Sequence, residues 1–366
     1  MVSFQYLSNK QSMYYKGIIS LVMLFFLISC NTNQKEFSPP TFERNVNLKH
    51  SVIQDTILLN LPREIITFDK YVVMNVLSDG KYLHVFDKLS GEYLGGYVSR
   101  GQGPGEIATW CERLDYNKKE RKITMIEKNT NQCFIYSVND DSESLLSFDS
   151  KKNFSSNSTN KEGFERISGI FKIDKNLYLT DSRIFPPTKN RNRRFSLITE
   201  TGEKMGEYNS FATDDFWAYS GGQSPKISIS PNRMKMAHAT FIGAVLETFE
   251  IGSSINLIHE KLFYPIILDI RNETAYPTDE TIIGFSDICT SDEYIFSILC
   301  GSKESNNRNI SVFNWDADPV IRFETNIDIY NICYNEDDHM IYAIAITEDY
   351  KYILVKFDIS SYLQIQ

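Results

Sequence analysis

The sequence has few of the residues that carry metal or nucleophilic chemistry. Its five histidines (His50, His84, His238, His259 and His339) are isolated, and none stands at metal-ligand spacing from another. The acidic turns Asn139–Glu143 and Glu336–Asp338 lack the pattern of a calcium loop, so they read as solvated turns. No Gly-x-Ser-x-Gly occurs, which leaves a serine hydrolase of that type without support. Positive charge is also scarce, with 38 Lys+Arg against 47 Asp+Glu and a formal net charge of -9. Lys10 and Lys16 belong to the N-terminal leader described below, so the rest of the chain is more acidic still. A body without a basic footprint argues against nucleic acid as a partner. Beyond Cys30 an odd number of cysteines remains, widely spaced, which argues against a disulfide framework. They read as small buried hydrophobes. Cys289 and Cys333 fall at matching places in adjacent repeats, so a bridge between those two is conceivable. Tryptophan is rare, at 3, against 24 Phe and 21 Tyr. That excess of other aromatics suits strands, where flat side chains pack on a pleated surface.

No apolar run reaches the ~20 residues that span a bilayer. The longest, Gly17 to Ser29, follows Lys16 and stops at Cys30. A charged start, a short apolar core and a small residue before the break make a secretory signal. Leu27-Ile28-Ser29-Cys30 resembles the lipobox of bacterial lipoproteins, which implies acylation of the Cys30 thiol and a lipid anchor in the membrane. The stretch before Met13 is long for such a signal, which points to Met13 as the start. Residues 1–29 are therefore expected to be a signal peptide. Residues 30–50 are expected to be the lipidated cysteine and a flexible tether, because Asn31 to Pro40 is polar and has no apolar period. No Asp follows Cys30, so the outer membrane is the expected address.

Residues 51–366 repeat. Ile65–Met74, Leu114–Ile126, Phe171–Leu179, Ile227–Met236, Ile288–Phe296 and Ile332–Ala343 each read as an apolar strand, a turn on Asp or Asn, and a second strand. Asp and Asn suit those turns because their side chains bond the backbone two residues on. The copies recur at the spacing of propeller blades. A second hairpin follows most of them. Phe86–Gly95 and Leu197–Gly206 both run strand, Gly-Glu turn, strand, and Asn309–Phe323 does the same with another turn. Two hairpins per repeat make a four-stranded antiparallel blade, and six blades make an all-β propeller. The last repeat lacks one strand. Asp55–Asn60 is an unpaired strand before the first blade, so it is expected on the outside of the sixth, closing the ring and covering an edge. The alternative, a pair of β-sandwiches, fits the single period less well.

With the lipobox, the six hairpins and Arg100-Gly101-Gln102-Gly103-Pro104-Gly105-Glu106 between blades one and two, the chain resembles the six-bladed propeller lipoproteins of the TolB-like kind. The glycine loop is also similar to that of NHL repeats, though it occurs once and not in every blade. The resemblance covers essentially all of the chain beyond the leader and implies no catalytic residues.

The loop itself is not a phosphate cradle, since no Lys-Ser or Lys-Thr follows its last glycine. Its glycines read as backbone shaping, and Arg100 and Glu106 pair with each other or with neighbouring blades. In a propeller, blade-to-blade loops share a face with the loops between each blade's second and third strands. Arg100–Glu106, Phe211–Gly222, Arg183–Arg194 and Gly301–Arg308 therefore crowd one face. Arginine beside exposed aromatics is enriched at binding sites. The candidate ligand-binding residues are Arg100, Gln102, Glu106, Arg183, Arg191, Arg193, Phe216, Trp217 and Tyr219. No catalytic residue, metal or cofactor is expected. The expected role is a membrane-anchored binding or scaffold module for a protein, peptide or glycan in the cell envelope. A hydrolase or lyase with its site in the propeller channel is the competing class, and a purely structural subunit is a third.

Overall fold

Branched and aromatic side chains fill the middle of each repeat, and there they form strands packed on both faces. Tyr71–Ser78 shows why. Its first six residues are all buried, with no alternation between inside and outside. A sheet covered on one face alternates, whereas a sheet covered on both does not. The computed structural model describes residues 37–56, 60–128, 130–140, 144–154, 164–185, 194–211, 226–271 and 274–363. The leader and Cys30 lie outside them. Among the described residues no helix is long and apolar enough to cross a membrane.

The first two strands are β1 (Asn45–Leu48) and β2 (Ser51–Gln54). Blade one follows as β3 (Glu64–Phe68), β4 (Tyr71–Ser78), β5 (Lys81–Asp87) and β6 (Tyr93–Ser99). Blade two is β7 (Cys111–Asn117), β8 (Lys122–Glu127), β9 (Gln132–Val138) and β10 (Leu146–Asn153). Blade three is β11 (Phe164–Asp174), β12 (Leu177–Phe185), β13 (Phe195–Thr199) and β14 (Lys204–Tyr208). Blade four is β15 (Lys226–Ile229), β16 (Lys235–Ala239), β17 (Val245–Ile251) and β18 (Ile255–Leu262). A short hairpin, β19 (Leu268–Arg271) and β20 (Thr274–Pro277), precedes blade five. Blade five is β21 (Ile283–Thr290), β22 (Tyr294–Ser302), β23 (Asn309–Asn314) and β24 (Pro319–Thr325). Blade six holds β25 (Asp328–Asn335), β26 (Met340–Ile346) and β27 (Tyr352–Asp358), with β2 as its outer strand.

Six apolar clusters join the blades, one at each seam. Between blades one and two, Val73, Leu83 and Val85 meet Leu114, Met125 and Phe134. Between the last blade and the first, Tyr342, Ile344 and Leu354 meet Ile65, Val72 and Phe86. The seam that closes the circle is thus built like the others. All five cysteines beyond Cys30 are buried and none forms a disulfide, Cys289 and Cys333 included.

Two N-terminal details differ from the sequence reading. The strand on the outer edge of β27 is Ser51–Gln54, upstream of the Asp55–Asn60 segment expected there. Residues 57–59 lie outside the described set. Gln54 explains the choice, because its Nε2 donates to Gly91 O (3.0 Å) and so ties blade six to blade one. The packed body also begins before residue 51, in what was expected to be tether. Val46 and Leu48 place β1 parallel to β24 on the outside of blade five. Phe42 packs edge-on against Phe313, with ring centroids 5.4 Å apart. An uncovered outer strand is a template for pairing, and these residues cover two of them.

Candidate functional site

The first strand of each blade, β3, β7, β11, β15, β21 and β25, faces the axis. Each is an edge strand of its own blade's sheet, and β21 also bonds across the seam at its start, where Phe285 N donates to Thr240 O of blade four at 2.9 Å. The other edge still carries backbone groups that need partners. Side chains from neighbouring blades supply them. Glu64 accepts from Leu114 N of blade two. Asp115 Oδ2 accepts from Lys172 N of blade three at 3.1 Å. Asp287 Oδ2 accepts from Ile332 N of blade six at 2.9 Å and from Asn331 Nδ2 at 3.2 Å. Thr290 Oγ1 donates to Ile229 O of blade four at 3.0 Å. Carboxylates on the inner strands therefore staple the ring.

What remains at the axis is a cavity of about 610 Å³. Two arginines cross its wall in front of blade three. Arg113 of blade two donates to Ile227 O of blade four (3.1 Å), and Arg233 of blade four pairs with Asp115 of blade two (2.5 Å). Gly169 on β11 gives Arg113 its passage: a Cβ there would stand 3.0 Å from Arg113 Cδ.

The two ends of the cavity differ. At the turn end lie Asp69, Asp292, Glu336 and Asp337, with Lys118 bound to Asp337 (2.7 Å) and Arg121 to Asp69 (2.9 Å). Burial, reinforced by Asp292, raises the Glu336 carboxyl above its ordinary range. At the other end, where the blade-to-blade loops arrive, lie Arg63, Glu64, Arg113, Asp181, Lys226 and Asp287. Lys226 Nζ is 3.3 Å from Asp287 Oδ1. Glu64 is exposed to the cavity but hemmed in by protein, and burial pushes its carboxyl up to about 8 against the pull of Arg113, the Leu114 N–H and Lys226. Asp287 adds to the rise. Glu64 is thus largely uncharged at neutral pH. Asp181 is only 4% exposed, and its Oδ2 has no partner among the described residues. At the rim the Arg63 guanidinium lies over the ring of Trp110, which is 38% exposed.

Among the described residues no group of three or more His, Cys, Asp or Glu side chains is placed to hold a metal ion. A second polar cluster lies in the seam between blades three and four. Arg194 Nη1 donates to Glu247 Oε1 (3.1 Å), and Glu247 Oε2 is 2.7 Å from His238 Nδ1. The side chains are buried and none of the three lines the cavity, so the cluster is a structural clamp.

The loop singled out in the sequence runs from β6 to β7, at the same end of the inner strands as Glu64 and Lys226. Arg100 and Gln102 are exposed on it, and neither lines the cavity. Glu106 folds back into its own loop, where Oε2 accepts from Gly103 N at 2.9 Å. Its carboxylate fills the space that a Cβ on Gly101 would need, so that glycine shapes the loop. Arg183 belongs to β12, and its side chain is outside the described residues. Arg191, Arg193, Phe216, Trp217, Tyr219 and Cys30 also lie outside them. Sequence reasoning passed over Arg63, Glu64, Trp110, Arg113, Asp181, Lys226 and Asp287. The sequence carried a signal for three of them, since Glu64, Arg113 and Lys226 stand at or near the start of their blades' first strands, and none for Asp181 and Asp287, which lie mid-strand.

The fold and its axial cavity define a six-bladed β-propeller. It is similar to a presumptive exported protein from Bacteroides fragilis, with 14% identity, a TM-score of 0.56, and 88% of this chain and 98% of the other covered. The calcium-binding protein regucalcin from Agrobacterium tumefaciens aligns at 10% identity and a TM-score of 0.48, over 86% and 95% of the two chains. Identities this low show the fold alone, and the weaker of the two likenesses carries no argument. No protein-family model matches the sequence. No curated protein matches it either.

Proposed function

We propose that this chain is a lipid-anchored propeller of the cell envelope whose axial channel binds a ligand. The anchor rests on the apolar stretch that ends at Cys30, and the name of the similar exported protein fits the envelope address without bearing on the anchor. The binding role is carried by one observation. The loop end of the cavity keeps a buried acceptor on Asp181 beside Arg113, Lys226 and the uncharged Glu64. Small-ligand sites are concavities of roughly 300–1,000 Å³ with a few convergent polar groups, and this one has both properties. A photo-reactive residue at Trp110 of the membrane-bound lipoprotein is expected to capture a ligand. The same residue at Leu89 is the control, because it is 82% exposed on the β5–β6 turn at the opposite end. Equal adduct yields at the two positions would remove the channel from consideration. Cys30→Ser is expected to release the protein from the membrane fraction, and unchanged fractionation would overturn the anchor.

A second reading rests on Glu64. A carboxyl that stays protonated near neutral pH in a cleft is suited to general-acid chemistry, as in a hydrolase or lyase. Glu64→Gln separates the two readings, because it abolishes turnover in an enzyme and spares capture by a binding module.

A further inference from the structure

Buried carboxylates in this ring are otherwise engaged. Glu64, Asp115 and Asp287 each hold a backbone N–H, and Glu247 holds Arg194. Asp181 Oδ2 stands apart, with no partner among the described residues although the residue borders the cavity. Leaving a buried acceptor unmet is costly. A donor is therefore wanted from inside the channel.

The surroundings restrict what that donor belongs to. Asp181 is in register with Gly169, and Gly169 lies beneath Arg113. Arg113 in turn reaches Ile227 O, next to Lys226. Asp181, Arg113 and Lys226 thus form one strip across the wall, with Gly169 beneath Arg113 and the buried hydroxyl residue Ser168 beside it. At this end Arg63, Arg113 and Lys226 face two aspartates and Glu64, which burial keeps uncharged at neutral pH. Cationic side chains outnumber negative ones, so a monoanion is accommodated. A ligand for this strip combines a hydroxyl for Asp181 with a negative group for the cations. A peptide terminus carries the carboxylate. However, its backbone offers no hydroxyl, whereas Asp181 and Ser168 set two buried polar side chains along this strip.

We infer that the loop end of the channel binds an acidic sugar, with a hydroxyl donating to Asp181 Oδ2 and the sugar carboxylate held between Arg113 and Lys226. The inference rests on the channel being a binding site. Its test is calorimetry on the full lipoprotein in detergent with D-glucuronate, D-glucose and acetate. Glucuronate is expected to bind about tenfold or more tighter than either of the others. Asp181→Ala is expected to lose about tenfold in glucuronate affinity while its melting temperature holds or rises, because the variant removes an unmet buried acceptor. A structural role for Asp181 would lower the melting temperature instead, and that result would overturn the assignment. Lys226→Met is expected to weaken glucuronate and leave glucose unchanged.

Affinity is also expected to fall as pH rises through about 8, where Glu64 ionises among Arg113, Lys226, Asp287 and the Leu114 N–H. Glu64→Gln removes that fall. Equal binding of glucose and glucuronate would overturn the acidic class and leave channel binding standing. Capture of a polypeptide at Trp110 with no saccharide binding would overturn the sugar and keep the binding role. Neither capture nor saccharide binding would sink both.

Discussion

Arg194, His238 and Glu247 have the composition of a catalytic cluster and the burial of a core. Burial alone would raise the Glu247 carboxyl, but Arg194 and His238 outweigh it and hold it down at about 2. Burial, with Arg194 beside it, lowers His238 from its ordinary value. Removing one partner of a buried ion pair leaves the other uncompensated, at a cost of about 3–5 kcal/mol. Glu247→Gln is expected to lose about that much stability at neutral pH, read by chemical denaturation. The sign with pH follows from the depressed carboxyl. Its contribution is complete above the ordinary 4.5 and is lost as pH falls toward 2. The gap between wild type and Glu247→Gln should therefore narrow over that window. A gap that is small at neutral pH, or constant through the acid range, would contradict the clamp. Glu64 shows the opposite balance at the same scale, since burial prevails over its cations and raises its carboxyl. Residue type alone does not separate these two glutamates.

At the scale of the element, Gly91 and Gly202 look equivalent. Both occupy the Gly-Glu turn between the third and fourth strands of a blade, and both have positive φ, at +72° and +83°. Their surroundings differ. A Cβ on Gly91 would run into the Ile53 backbone of β2, whereas one on Gly202 would meet nothing within 4 Å. Gly202→Ala is expected to cost about 1 kcal/mol, the penalty of a left-handed turn for an L-residue. Gly91→Ala carries that strain and also pushes β2 from its place beside blade one. Its expected cost is about 3 kcal/mol, in the range of overpacking added to strain. Melting curves of the two variants would decide the matter, and equal losses would mean that the contact between β2 and blade one is not holding the seam. The glycine loop of β6–β7 follows the same logic, because its Gly101 is required by Glu106 and not by a ligand.

Over the whole molecule, the ring is held by six apolar seams and by an N-terminal segment that covers the outer edges of blades five and six. A chain that begins at Asn60 would leave β24 and β27 uncovered. It is expected to melt at lower temperature and to elute as oligomers on size exclusion, since exposed edges pair with other copies. A truncated protein that stays monomeric with an unchanged melting temperature would show that the edges need no cover.

The repeat count, the four-stranded blade and the incomplete last blade were legible in the sequence. They depend on local period and turn chemistry: Asp and Asn at the hairpins, Gly-Glu at the outer turns, and apolar strands of blade length between them. The candidate site was not legible. Glu64, Arg113, Asp181, Lys226 and Asp287 belong to five different blades and meet only when the ring closes. Asp181 is buried there without a partner among the described residues while Asp115 is stapled, and no local pattern distinguishes them. Local sequence determined the strands because hydrogen bonding and turn preference act over a few residues. Tertiary structure decided which charges face the cavity, how their protons are held, and which edge strand closes the ring, because burial and Coulomb terms depend on neighbours that are far apart in the chain.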